Sequence, residues 1–180
     1  MKKLFLGFLA CFLFAGLSSA QTAFEKGNSV VNLGVSLGGN LYGGGWGSGY
    51  SRIPLIKGSY ELCIVDNLFN DKSAIGVGAL VGYTSAKQKN RWKSTDIMIG
   101  VQGAFHYSFL EKLDTYVGLR GTYDIVSWKW DDFDWGGGGS SSFYFNFYAG
   151  ARYYFANSFG VFAEFSHGYE IATLGVALKF

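Results

Sequence analysis

Ile171-Ala172-Thr173-Leu174-Gly175-Val176-Ala177-Leu178-Lys179-Phe180 is the stretch on which the fold turns. Ala172, Leu174, Val176, Leu178 and Phe180 alternate with Thr173, Gly175, Ala177 and Lys179. A period of two describes a strand with one apolar face and one small or polar face. Seven earlier stretches carry the same period: residues 30–38, 53–65, 73–84, 95–109, 115–127, 142–155 and 159–166. In each, the larger apolar side chains share one face, as Val31, Leu33, Val35 and Leu37 do in the first.

The distribution of charge decides what kind of β-structure this is. Lys57, Glu61, Arg120, Asp124, Arg152, Glu164 and Lys179 all fall on the glycine-rich face, and the apolar face of all eight strands carries no charge. A soluble barrel places its charges outward, in water. A transmembrane barrel turns an apolar band to lipid and keeps polar groups inside. The pattern therefore predicts an all-β protein: an eight-stranded antiparallel up-and-down transmembrane β-barrel. Each strand is near or above the ~9–11 residues needed to cross a bilayer at a tilt. Closure satisfies every backbone N–H and C=O, as lipid requires. Aromatics concentrate at strand ends, with Tyr83, Trp128, Phe143 and Phe165 at one rim and Tyr107, Phe109, Phe155, Phe159 and Phe180 at the other. Interfacial girdles have this form.

Residues 1–20 read as a cleaved signal peptide: Lys2 and Lys3, an apolar run from Leu4 to Leu17, then Ser18-Ser19-Ala20. The barrel domain is then residues 21–180. Removing Lys2 and Lys3 takes the 15 basic residues to 13, equal to the 13 acidic ones, so charge offers no case for nucleic acid. Cys63 is the only cysteine after Cys11, which excludes an internal disulfide in the mature chain. The 27 glycines and 19% aromatics fall within the alternating segments, which separates this composition from disorder.

Together the strands and the terminal aromatic resemble the small eight-stranded outer-membrane barrels, the OmpA transmembrane-domain and OmpX class. The resemblance implies residence in the outer membrane, with both termini periplasmic and the long loops extracellular. It implies contact with outer-membrane lipid and lipopolysaccharide. It also implies that Phe180, with Leu178 and Val176, forms the signal read by the barrel-assembly machinery. No peptidoglycan-binding domain is expected after the barrel.

For function, the interior charges come first. Lys57 and Glu61 share a strand, as do Arg120 and Asp124, while Arg152 and Glu164 lie on adjacent strands. An eight-stranded lumen is just wide enough to be filled by side chains, and a buried charge is costly unless paired. A structural ion-pair network including Lys179 is expected, with a narrow porin-like pore as the alternative. His106 and Ser108 raise an enzyme reading of the lipid A deacylase kind, as do Ser166, His167 and Glu170. His106 and Ser108 face the lumen at the periplasmic end, away from lipid A, so no enzyme is expected. The stretch Trp130, Asp131, Asp132, Asp134 and Trp135 is a candidate loop interface; it lacks the glycine and terminal glutamate of a calcium loop. Lys87, Lys89, Arg91 and Lys93 form a basic loop able to meet anionic phosphates. The glycines of 38–47 lack the Lys-Ser/Thr of a phosphate loop, and no metal or cofactor is expected. The reading that results is a non-enzymatic surface barrel with structural or adhesion-like roles.

Overall fold

A computed structural model describes residues 23–37, 50–88, 92–130, 138–168 and 170–180. Its strands are β1 (Ser29–Leu37), β2 (Tyr50–Asp66), β3 (Ser73–Gln88), β4 (Trp92–Leu110), β5 (Leu113–Trp130), β6 (Gly138–Ala156), β7 (Phe159–Ser166) and β8 (Ala172–Lys179). Each pairs antiparallel with its sequence neighbour, and β8 returns to β1 to close the barrel. The expected fold class is the observed one.

The closing seam is set by small residues. Leu33 lies opposite Val176 and Gly34 opposite Gly175, and Ser29 and Phe180 exchange backbone hydrogen bonds at its end. A Cβ on Gly175 would overlap the Leu33 carbonyl oxygen. A Cβ on Gly34 would stand 2.8 Å from the Phe162 ring. Glycine at both positions lets the strands close with Phe162 packed inside. Gly168, at φ 129° in the β7–β8 turn, occupies a conformation that disfavours a side chain, and a Cβ there would also strike Asn146.

Burial is inverted relative to a soluble protein. The largest fully buried side chains include Arg120, Arg152, His106 and Glu61. Leu33, Val81, Val101, Phe143, Phe145, Phe147 and Leu174 are all exposed on the outside wall. Water would penalise such a surface and hydrocarbon would not.

The strands differ in length. β2 to β6 run 16 to 19 residues, whereas β1, β7 and β8 have eight or nine. The backbone pairing continues into segments expected to be loops, so β2 to β6 all overrun their expected ends. Tyr148 opposite Ser166 is the last β6–β7 pair at the end away from the termini. Among the described residues, β6 from Gly138 to Phe147 therefore runs on without a β7 partner. Trp128, expected in an aromatic girdle, sits on the alternate phase from Ile125 and Lys129, against Gly138. Its position after the strand's expected end had hidden its phase.

Candidate functional site: the charged lumen

The inward positions of β2, β4, β5, β6 and β7 build two charge clusters, one above the other. The cluster farther from the termini contains Lys57, Arg120, Glu164 and Glu170. The Lys57 ammonium donates to Glu164 at 2.7 Å and to Glu170 at 2.5 Å. Arg120 donates to Glu164 at 2.8 Å and to Glu170 at 2.7 Å, and its remaining N–H groups reach Gln102 Oε1 at 3.0 and 3.2 Å. The Tyr148 ring lies 4.2 Å from the Arg120 guanidinium carbon. Two cations face two carboxylates, all nearly inaccessible to water.

The cluster nearer the termini contains Glu61, His106, Asp114 and Arg152. Arg152 donates through Nη1 to Asp114 at 2.9 Å and through Nη2 to Glu61. His106 lies between the same carboxylates, Nδ1 at 2.9 Å from Asp114 and Nε2 at 3.1 Å from Glu61. A neutral imidazole carries one N–H. Two carboxylate contacts therefore call for both ring protons, which makes this cluster two against two as well. Tyr116 separates the layers: its hydroxyl donates to Glu164 at 3.4 Å, and the Arg152 guanidinium carbon stands 4.5 Å over its ring.

A further group closes the lumen at the terminal end. The segment before β1 folds inward, burying Ala23 and Phe24. The Phe24 ring centre is 4.3 Å from that of His106, and the Ala23 carbonyl accepts from Lys179 at 3.3 Å. Gly27, at φ 90°, lets the segment turn back toward Cys63, whose carbonyl accepts from the Gly27 N–H.

Five of the expected interior charges, Lys57, Glu61, Arg120, Arg152 and Glu164, lie in these clusters, but with other partners. Residues four apart on a strand are separated by about 13 Å, too far for Lys57 to meet Glu61 or Arg120 to meet Asp124. The partners lie on other strands instead, beside Arg152 for Asp114 on β5 and across the lumen from it for Glu61 on β2. Arg152 and Glu164 fall in different clusters. Lys179 joins neither and lies over Tyr154, 4.9 Å from its ring centre. Asp124 is buried, and among the described residues neither carboxylate oxygen has a hydrogen-bond partner. Asp114, Glu170 and Phe24 complete the site and were not expected in it. The first two were assigned to turns, and Phe24 precedes the first periodic stretch. The alternation of Thr115 and Tyr116 with Asp114 carried the signal for Asp114.

The geometry bears directly on the enzyme reading. His106 and Asp114 are hydrogen-bonded, as base and orienting acid would be. The second nitrogen, which a triad base turns to its serine, is held by Glu61 rather than Ser108. His167 is exposed while Glu170 is buried in the other cluster, so that pair is separated too. Asp131, Asp132, Asp134 and Trp135 lie outside the described residues, as do Lys89 and Arg91, and the Trp130 side chain is likewise not described.

Comparison with solved structures places the fold among small outer-membrane barrels. The attachment invasion locus protein Ail of Yersinia pestis superposes with a TM-score of 0.60 at 12% identity, over 86% of this chain and 99% of that one. Ail in complex with the heparin analogue sucrose octasulfate gives 0.57 at 11% identity, over 86% and 99%. The N-terminal β-barrel domain of Pseudomonas aeruginosa OprF gives 0.54 at 16% identity, over 87% and 98%. No protein-family model and no curated protein sequence matches the chain.

Proposed function

We propose that this protein is a non-enzymatic outer-membrane barrel with a sealed lumen, which anchors an interaction surface at the cell exterior. The observation that carries the reading is the pairing of eight buried charged groups across the lumen, with Phe24 packed beneath them. A conducting pore needs a continuous water path, and paired side chains filling an eight-stranded interior leave little room for one. The termini lie in the periplasm and the overrunning ends of β2 to β6 project outward. This seating agrees with the short turns at the terminal end and the long connections at the other. Val176, Leu178 and Phe180 present the outward face of the last strand to the assembly machinery. The likeness in fold to an attachment invasion protein supports a surface-interaction role over a metabolic one.

The test is reconstitution in planar bilayers. The sealed reading expects no stepwise conductance from protein whose heat-modifiable gel mobility shows it to be folded. Reproducible steps from folded protein would replace it with the narrow-channel alternative. Unchanged lipid A mass spectra on overexpression are the matching expectation for the absence of enzymatic activity.

A further inference from the structure

Beyond the Lys57–Arg120 cluster, away from the termini, the inward faces of the long strands form a cup. Register places Asp124 on β5 between Met98 on β4 and Ser142 on β6. Thr122 lies below Asp124 on the same face of β5, and Val126 and Trp128 lie above it. Tyr144, the β6 partner of Thr122, packs against the apolar cluster of Leu55, Leu80 and Met98. Exposure rises with distance from the terminal end. Thr122 and Asp124 are 0% and 1% exposed, whereas Asp96, Trp128 and Ser142 are part-buried and Ser140 is exposed. The cup therefore has a closed floor and a more open rim.

The floor carries unmatched negative charge. Among the described residues neither carboxylate oxygen of Asp124 has a hydrogen-bond partner, and the Thr122 hydroxyl has none either. Lys57 and Arg120, the cations of the cluster beneath, are each held by both Glu164 and Glu170. That cluster balances two against two, which leaves Asp124 in surplus. The charges that bear on Asp124 are those of Asp96 and Glu170, both carboxylates. Burying a carboxylate without a partner is costly. A floor of unpaired acceptors in negative surroundings fits a cationic hydrogen-bond donor. The lining decides which cation. Calcium takes about six to eight oxygen ligands, whereas Met98 beside Asp124 and Val126 above it are apolar. A quaternary ammonium has no N–H to give. A primary ammonium has three donors, and three oxygens of the floor lack partners: both of Asp124 and that of Thr122. Residues two apart on one face are about 6.6 Å apart along the strand, a span that one nitrogen bridges with ordinary hydrogen bonds.

We infer that this cup binds a small primary alkylammonium, its N–H groups held by Asp124 and Thr122 and its chain lying against Met98 and Tyr144. Asp124 lies about 13 Å below Trp128 along β5, farther than the four-carbon stem of a lysine on a folded partner extends. The occupant is therefore a free amine. This assignment rests on the seating proposed above for its side of entry, the cell exterior.

The test uses the folded full-length mature barrel in neutral detergent, with n-propylammonium as the probe. Binding is followed by isothermal titration calorimetry and by the rise in unfolding midpoint. n-Propylammonium binds the wild type and raises its midpoint. Tetramethylammonium has the charge without an N–H, and n-propanol has the chain without the charge. Each binds at least ~10-fold more weakly, as expected when charge-assisted hydrogen bonds are lost. Asp124→Asn lowers n-propylammonium affinity by the same ~10-fold or more. Without amine, that variant is at least as resistant to unfolding as the wild type, so the two midpoints cross as amine is added. A carboxylate with only a structural role gives no such crossing. The control Asp71→Asn, altered at the opposite rim, binds as the wild type does. Absence of n-propylammonium binding to the wild type would overturn the inference, as would equal affinity in wild type and Asp124→Asn. So would binding of tetramethylammonium or calcium as tight as that of n-propylammonium. Should Asp124→Asn fail to fold, the ranking of the probes on the wild type decides alone. A barrel that is silent in planar bilayers yet indifferent to n-propylammonium keeps its sealed lumen and loses only this site.

Discussion

Arg152 is held by Asp114 on the neighbouring strand and by Glu61 across the lumen, and it shares both carboxylates with His106. Removing one partner from a buried ion cluster leaves uncompensated charge, which costs about 3–5 kcal/mol. Arg152→Met is expected to destabilise the folded barrel by that amount, read from urea unfolding in lipid vesicles. Asp124 offers the opposite case. Its carboxylate is buried without a hydrogen-bond partner among the described residues, so Asp124→Asn removes a desolvated charge and no contact. The unfolding midpoint of that variant is expected to match or exceed the wild type; a loss comparable with Arg152→Met would show that Asp124 has a partner. At this scale the sequence was informative about which face a residue occupies and uninformative about whom it meets. Alternation fixes inward or outward, and Lys57, Glu61, Arg120, Arg152 and Glu164 needed nothing more. Their partners lie one to four strands round the barrel and depend on its stagger and tilt, and period-two spacing carries no trace of that.

Among the elements, β8 was the most legible because it is short, regular and followed directly by Phe180. β2 to β6 were read too short. Their outer ends carry Ser85, Lys87 and Lys93 on the outward face once they leave the lipid band, so the apolar face that defines them ends while the backbone pairing continues. The seam between β1 and β8 shows how little tolerance closure has. Gly175 stands where any Cβ meets the Leu33 carbonyl and the Phe162 ring, and neither can retreat without opening the ladder. Gly175→Val is therefore expected to reduce the heat-modifiable, folded fraction several-fold on refolding. The same change at Gly103, whose Cβ would find only the Gly76 carbonyl oxygen at 3.8 Å, is expected to fold nearly as well as wild type. Comparable yields from the two variants would mean that the seam is not the step that limits closure.

For the molecule as a whole, the lumen is obstructed at successive levels: the Lys57–Arg120 cluster, the Tyr116 layer, the Arg152–His106 cluster, and Phe24 at the terminal mouth. Obstructions in series each limit the path, because the remaining barriers still set the flux when one is lifted. Phe24→Ala removes the last of these and leaves the others hydrogen-bonded. Burial of Phe24 against His106 and Cys63 makes the substitution costly, about 3–5 kcal/mol for a core phenylalanine. The expected result separates two quantities: a clear fall in unfolding midpoint with no stepwise conductance in planar bilayers. Stepwise conductance from the folded variant would show that water passes both ion clusters and that the N-terminal segment alone is the seal. A silent variant with an unchanged midpoint would instead place Phe24 outside the packed interior. Only loss of stability with continued silence fits a lumen closed along its length, where the charge pairs across the barrel serve as its core.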